Sequence, residues 1–175
     1  MPFEPNHLSV LGIIHTAISI LAIIAGVIAL VRYGKINMTT SPGRAYIWLT
    51  ILTCITAFPI MKLGHPTAGH YVGVIILGLI TFGLQAKNIP ILKKGADYIE
   101  VVAISTTFFL SMIPTTVETL TRVPISKPIA SGPADPLITK VLLVFVVLYI
   151  VGVTYQLAKL RKAKKSAGTP TVTLT

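Results

Sequence analysis

Residues 8–31 read LSVLGIIHTAISILAIIAGVIALV, and this stretch decides the class of fold. It holds no Asp, Glu, Lys or Arg, and its one titratable side chain is His15. As a helix rising ~1.5 Å per residue it is long enough to cross the ~30 Å hydrocarbon core of a bilayer. A backbone in hydrocarbon has no water to satisfy its N–H and C=O groups, so such a segment must be helical. The residues before it, Met1 to His7, lack the positive charge that opens a cleavable signal peptide, and the apolar run is too long for one. A retained membrane helix is expected.

Four further apolar blocks follow, over about residues 44–61, 69–86, 97–121 and 137–157. Together the five predict an all-α, polytopic transmembrane bundle within residues 1–160, followed by a basic to polar tail, 161–175, expected to be disordered. Gly34, Ser41-Pro42, Pro66, Pro90, Gly95 and the Pro/Gly-rich run 124–136 punctuate the blocks. The second and third blocks are short and carry Pro59 and Pro66 at their junction, so a re-entrant pair is an alternative to two full spans. Composition agrees with the membrane reading: 53% of residues are hydrophobic and 11% charged, against about 25% charged in soluble domains.

The net charge of +10 does not point to nucleic acid, because the bases lie between apolar blocks and in the tail rather than along one polar face. They report topology instead. With the N-terminus outside, Arg32, Lys35, Arg44, Lys87, Lys93, Lys94, Lys159, Arg161, Lys162, Lys164 and Lys165 fall inside, eleven of the chain's 15 bases. Lys62, Arg122, Lys127 and Lys140 fall outside. The positive-inside rule therefore predicts an outer N-terminus and a cytoplasmic C-terminus. The single cysteine, Cys54, excludes an intramolecular disulfide and any cysteine-based metal site.

Polar groups inside hydrocarbon cost about 2.5–3.5 kcal/mol at a helix centre when charged, so they turn toward protein, water or ligand. Gly12, His15, Ser19, Ala22 and Gly26 recur at three- and four-residue spacing, which places His15 on a small, polar face of the first helix. His70 opens the third block beside a Gly69/Gly73 close-packing pair, and His65 lies in the loop before it. In the fourth block Glu100, Thr107, Ser111, Pro114 and Glu118 fall near one face. There Glu118 is placed to pair with Arg122 at i,i+4, and Glu100 with Lys93 or Lys94. All four histidines and Glu118 fall in the expected outer half. His15 and His70, on different helices, are a candidate axial pair for haem b. A competing reading takes three of His15, His65, His70 and Glu118 as ligands of a divalent metal. Each histidine has an ordinary alternative: a hydrogen bond to a carbonyl or hydroxyl for His15, contact with headgroups and water for His65 and His70.

The first two blocks carry a set of short motifs. These are His15, the Gly26–Leu30 stretch with Ala29, the Gly34-Lys35 turn, and Gly43-Arg44-Ala45-Tyr46 opening the second helix. In these, about a quarter of the chain, the sequence resembles a small, uncharacterised family of prokaryotic polytopic membrane proteins, broadly similar to cytochrome b561-type bundles. Ser41-Pro42 stand where related sequences carry His-Arg. The resemblance implies a prokaryotic inner (plasma) membrane and His15 as a haem-ligand candidate.

Three functions are therefore compatible with the sequence. The first is a haem b- or metal-binding protein of the outer membrane half, serving electron transport or its assembly, with Glu118 orienting an imidazole. The second is a cofactor-free accessory or structural subunit associated with other membrane proteins or with its own copies. The third is a small transporter or channel using the polar face of the fourth helix. No Ser/His/Asp set, H-E-x-x-H, phosphate loop or dinucleotide fingerprint is present, so an ordinary enzyme is not expected.

Overall fold

The computed structural model describes residues 10–60, 65–124 and 126–167. Its regular elements are α1 (Val10–Tyr33), α2 (Ser41–Ala57), α3 (Ala68–Gln85), a 3-10 turn (Ala86–Asn88), α4 (Ala96–Arg122) and α5 (Pro136–Ala167). Four of the helices are long and apolar enough to cross a membrane: α1, α3 with its 3-10 extension, α4 and α5. Large apolar side chains such as Ile20, Leu21, Val147 and Leu148 are exposed, an arrangement that suits lipid and not water. Among the described residues the fold is all-α with five α-helices, four of them of membrane-spanning length and hydropathy. The chain divides into two compact units at Phe82–Gly83, described in turn.

In the first unit α1 and α2 pack against each other through small residues. Gly12, Ala22, Ala25, Gly26 and Ala29 are the buried positions of α1, and Tyr46, Ile47, Thr50 and Cys54 are among those of α2. The small face read from the sequence is thus the packed face, with His15 and Ser19 half-buried along it. The turn between the helices explains two of the quoted motifs. Gly34 ends α1 in the left-handed region, φ 72°, with its N–H bonded to the Leu30 carbonyl at 2.9 Å, the usual glycine stop of a helix. Thr40 caps α2 by accepting from the Gly43 N–H at 3.3 Å. Gly43 is required by space: a Cβ there would lie 2.0 Å from the Asn37 carbonyl oxygen.

α2 ends at Ala57, not near residue 61. Pro59 has no backbone N–H to donate, and the helix closes two residues before it. At 17 residues α2 is shorter than the four spanning candidates. α3 returns beside it. Gly73 faces Cys54, with 3.9 Å from an ideal Cβ to Sγ, and the Phe58 and His70 rings lie 6.3 Å apart.

In the second unit α4 and α5 run antiparallel. Ser105 Oγ donates to Gln156 Oε1 at 3.1 Å, Thr106 Oγ1 lies 2.7 Å from the Tyr149 hydroxyl, and the Phe109 and Tyr149 rings stack at 5.1 Å. Gly83 admits α4 closely, since its Cβ would stand 3.0 Å from that of Ala103. α4 is unbroken at Pro114. Asp135 caps α5, with Pro136 at the first helical position, where its missing N–H costs nothing. α5 does not stop near Leu157: it continues through Lys159, Arg161, Lys162, Lys164 and Lys165 to Ala167. The sequence reading placed most of those bases in a disordered tail. They are good helix formers extending an existing helix.

Candidate functional site

The intramembrane polar groups of the first unit gather on α1, α2 and the start of α3. His70 is the third residue of α3 and closes its N-terminus. The backbone N–H of Thr67 donates to His70 Nδ1 at 3.0 Å, and Thr67 Oγ1 lies 2.9 Å from the same nitrogen. This is one half of a capping box, the bond from the third helical side chain back to the N-cap N–H, made by an imidazole in place of the usual Glu or Gln. A backbone N–H can only donate, so Nδ1 holds the lone pair and the neutral ring carries its proton on Nε2. The residue is 8% exposed, and Nε2 finds no hydrogen-bond partner among the described residues.

His15 is wired the other way. Its Nδ1 lies 3.1 Å from Thr56 Oγ1. That hydroxyl spends its one proton on the Leu52 or Thr53 carbonyl, at 2.9 and 3.0 Å, and so accepts from His15 Nδ1–H. The Nε2 of His15 is then the lone-pair nitrogen. Metal-bound histidines have this form, with the distal N–H donated to an oxygen. His15 fits the donor requirement of a haem or metal ligand. His70 does not: an axial bond through Nε2 requires a lone pair where the Thr67 cap leaves a proton. The His15/His70 pair therefore does not fit a bis-imidazole haem as folded.

His65 is exposed, and its Nδ1 bonds the neighbouring Pro66 carbonyl at 3.2 Å. Among the described residues no three of His, Cys, Asp and Glu come together in a group able to hold a metal ion; His7 lies outside them. Glu118 belongs to the second unit, and its carboxylate is bound by Arg122 at 2.6 Å, the i,i+4 pair read from the sequence. Glu100 is also paired, but with Lys87 at 2.9 Å rather than with Lys93 or Lys94. Lys87 also meets Asp97 at 3.3 Å, and Lys164 of α5 meets Asp97 at 2.7 Å while sitting 5.0 Å from the centre of the Tyr98 ring.

Six hydroxyls of α4 bond their own helix. Thr106, Thr107, Ser111, Thr115, Thr116 and Thr121 donate to carbonyls three or four residues back, at 2.6–2.9 Å. Each of these hydroxyls thereby has its proton satisfied within its own helix. The sequence reading passed over α2, where Thr50, Thr53 and Thr56 recur every three residues. Oγ1 of Thr50 and of Thr53 are buried without a hydrogen-bond partner among the described residues. That three-residue period was the signal available.

Outside the apolar segments, Asp135 accepts from the Ser131 N–H and the Leu137 N–H, each at 2.9 Å, and from Ser131 Oγ at 2.9 Å. These bonds, led by the Ser131 backbone, hold its carboxyl below the ordinary aspartate range.

Compared with protein-family models, with curated proteins and with solved structures, the chain finds no match in any of the three.

Proposed function

We propose that this chain is a cofactor-free accessory subunit of a larger membrane assembly, with its N-terminus outside and its C-terminus in the cytoplasm of a prokaryotic cell. One observation carries the reading. α3 presents an outward stripe of Tyr71, Val74, Ile75, Gly78 and Phe82, all exposed. At its centre Gly78 has no atom within 4 Å of the position a Cβ would take. Bulky side chains flanking an open glycine make a notch into which another helix can pack at close range, the device by which helices associate in lipid. The other intramembrane groups support this reading indirectly. The α4 hydroxyls and both of its glutamates are engaged within their own unit, and the proton on His70 Nε2 opposes axial ligation. The orientation rests on the distribution of bases over the loops.

The test is Gly78→Leu, whose Cβ would have open space and whose side chain would occupy the notch. Extracted in a lipid-retaining polymer, the wild-type chain is expected to run as a stoichiometric complex, with a different subunit or with its own copies. The variant is expected to retain its helix content and run alone. A wild-type chain that runs as a lone protomer, or a variant that keeps its partner unchanged, would remove the proposal.

A further inference from the structure

The chain has five acidic residues, and every described one is engaged. Asp97 binds Lys87 and Lys164, Glu100 binds Lys87, Glu118 binds Arg122, and Asp135 caps α5. In the second unit Lys93, Lys94, Lys159, Arg161 and Lys162 are exposed and form no ion pair among the described residues. No described carboxylate remains for them, which leaves these bases open to anions of another molecule.

Their placement identifies that molecule. The side of α5 turned away from Asp97 reads Val144, Leu148, Val151, Tyr155, Lys159 and Lys162 in order along the helix. Val144, Leu148 and Val151 are 58–62% exposed, as is Tyr155. Aliphatic, then aromatic, then basic is the sequence of surroundings met on leaving a bilayer: hydrocarbon, interface, headgroup. Lys159 stands ~6 Å and Lys162 ~10 Å beyond Tyr155 along the axis, the depth of the lipid phosphates. Lys140 and Lys159 bracket the apolar stretch between them, ~28 Å apart, which matches the hydrocarbon thickness.

The link into α4 repeats the pattern on a small scale. Its successive turns, Leu92 N to the Ile89 carbonyl at 3.0 Å and Gly95 N to the Leu92 carbonyl at 2.9 Å, present Ile91 at 89% exposure next to Lys93 and Lys94. The Lys164–Asp97 contact pins the basic end of α5 to the start of α4, on the same side as this link.

We infer that this end of the second unit is a binding surface for phosphate-bearing anionic lipid headgroups, in which Lys93, Lys94, Lys159, Arg161 and Lys162 contact phosphates while Ile91 and Tyr155 enter the interface. The inference does not depend on the α3 partner proposed above.

The full chain is reconstituted in phosphatidylcholine bilayers, and spin-labelled phosphatidylglycerol and phosphatidylcholine are compared for the fraction motionally restricted by the protein. The wild-type chain should favour phosphatidylglycerol about fivefold, the ratio expected if each restricted lipid gains one basic contact. The preference should fall toward unity in 1 M chloride. Joint replacement of Lys93, Lys94, Lys159, Arg161 and Lys162 by Gln, which keeps the Lys164–Asp97 contact, should abolish it at low salt with helix content unchanged. A wild-type chain without preference, a preference that survives high salt, or one retained by the variant overturns the inference. So does a preference removed by inorganic phosphate but not by chloride of equal ionic strength, which would mark a site for the free anion. If the variant does not fold, the salt titration of the wild-type chain decides.

Discussion

Gly43→Ala tests the account of the α1–α2 turn most directly. The added methyl would stand 2.0 Å from the Asn37 carbonyl oxygen and 2.8 Å from both the Asn37 nitrogen and Thr40 Oγ1. Two of these are backbone atoms, which cannot swing aside as a side-chain tip can. Asn37 is held between the buried Ile36 and the cap of α2, where the Thr40 hydroxyl reaches the Asn37 carbonyl at 3.4 Å and receives the Gly43 N–H. Relief therefore requires the turn to move and the cap to open. Overpacking costs about 1–3 kcal/mol and a lost N-cap about 0.5–2 kcal/mol, so the expected destabilisation is about 1.5–5 kcal/mol. Reversible unfolding in mixed micelles, followed by far-ultraviolet circular dichroism, measures it. Gly78→Ala is the internal control. It has open space, and alanine is the better helix former by about 1 kcal/mol, so its stability should be unchanged or slightly raised. A Gly43→Ala protein within about 0.5 kcal/mol of wild type, the scatter of innocuous surface changes, would refute the close approach.

The Asp135 cap predicts a pH dependence with a definite sign. Because its folded-state carboxyl lies below the ordinary value, the charged cap contributes stability that is complete above about pH 4 and is lost as pH falls through the lowered folded value. Unfolding midpoints of wild type and Asp135→Asn should differ above that range and converge below it; parallel curves would contradict the assignment. Asp97→Asn weakens the contact that holds the end of α5. Since both partners are well exposed the effect is modest, under about 1 kcal/mol, and should appear as amide hydrogen exchange accelerated up to about fivefold over residues 160–167. The imidazole assignment predicts no haem spectrum. Protein produced with ample haem and reduced with dithionite should show no sharpened α band, and a band lost in both His15→Ala and His70→Ala would overturn the tautomer argued for His70.

The helices were legible because hydrocarbon permits one backbone solution and because charge is excluded from it. Their ends were less so. Pro59 stops α2 at Ala57, two residues before the proline itself. The end of α5 departs from the sequence expectation for the opposite reason: the change from apolar to basic residues near Leu157 is a change of composition, and the helix runs through it to Ala167. Lysine and arginine continue a helix readily, so composition and conformation separate there. At the candidate site, Glu118–Arg122 is a local pair and could be read by counting. Lys87–Glu100 spans a turn whose path the sequence does not fix. The histidines show the limit most clearly. Position made His15 and His70 equivalent, and only hydrogen bonds within the folded chain, to Thr56 and to Thr67, distinguish a lone pair from a proton.

α5 is a single helix of 32 residues, and its unbroken passage from apolar to basic makes it a lever. Ten residues beyond Leu157 amount to ~15 Å of rod. A bilayer thinner than the apolar stretch is met by tilting, and a tilt of about 10° sweeps the far end ~3 Å sideways. Lys164 contacts Asp97 in the first turn of α4, so such a tilt would bear on that contact. A change of bilayer thickness would thereby be carried to the helix end, because α5 is continuous from Pro136 to Ala167.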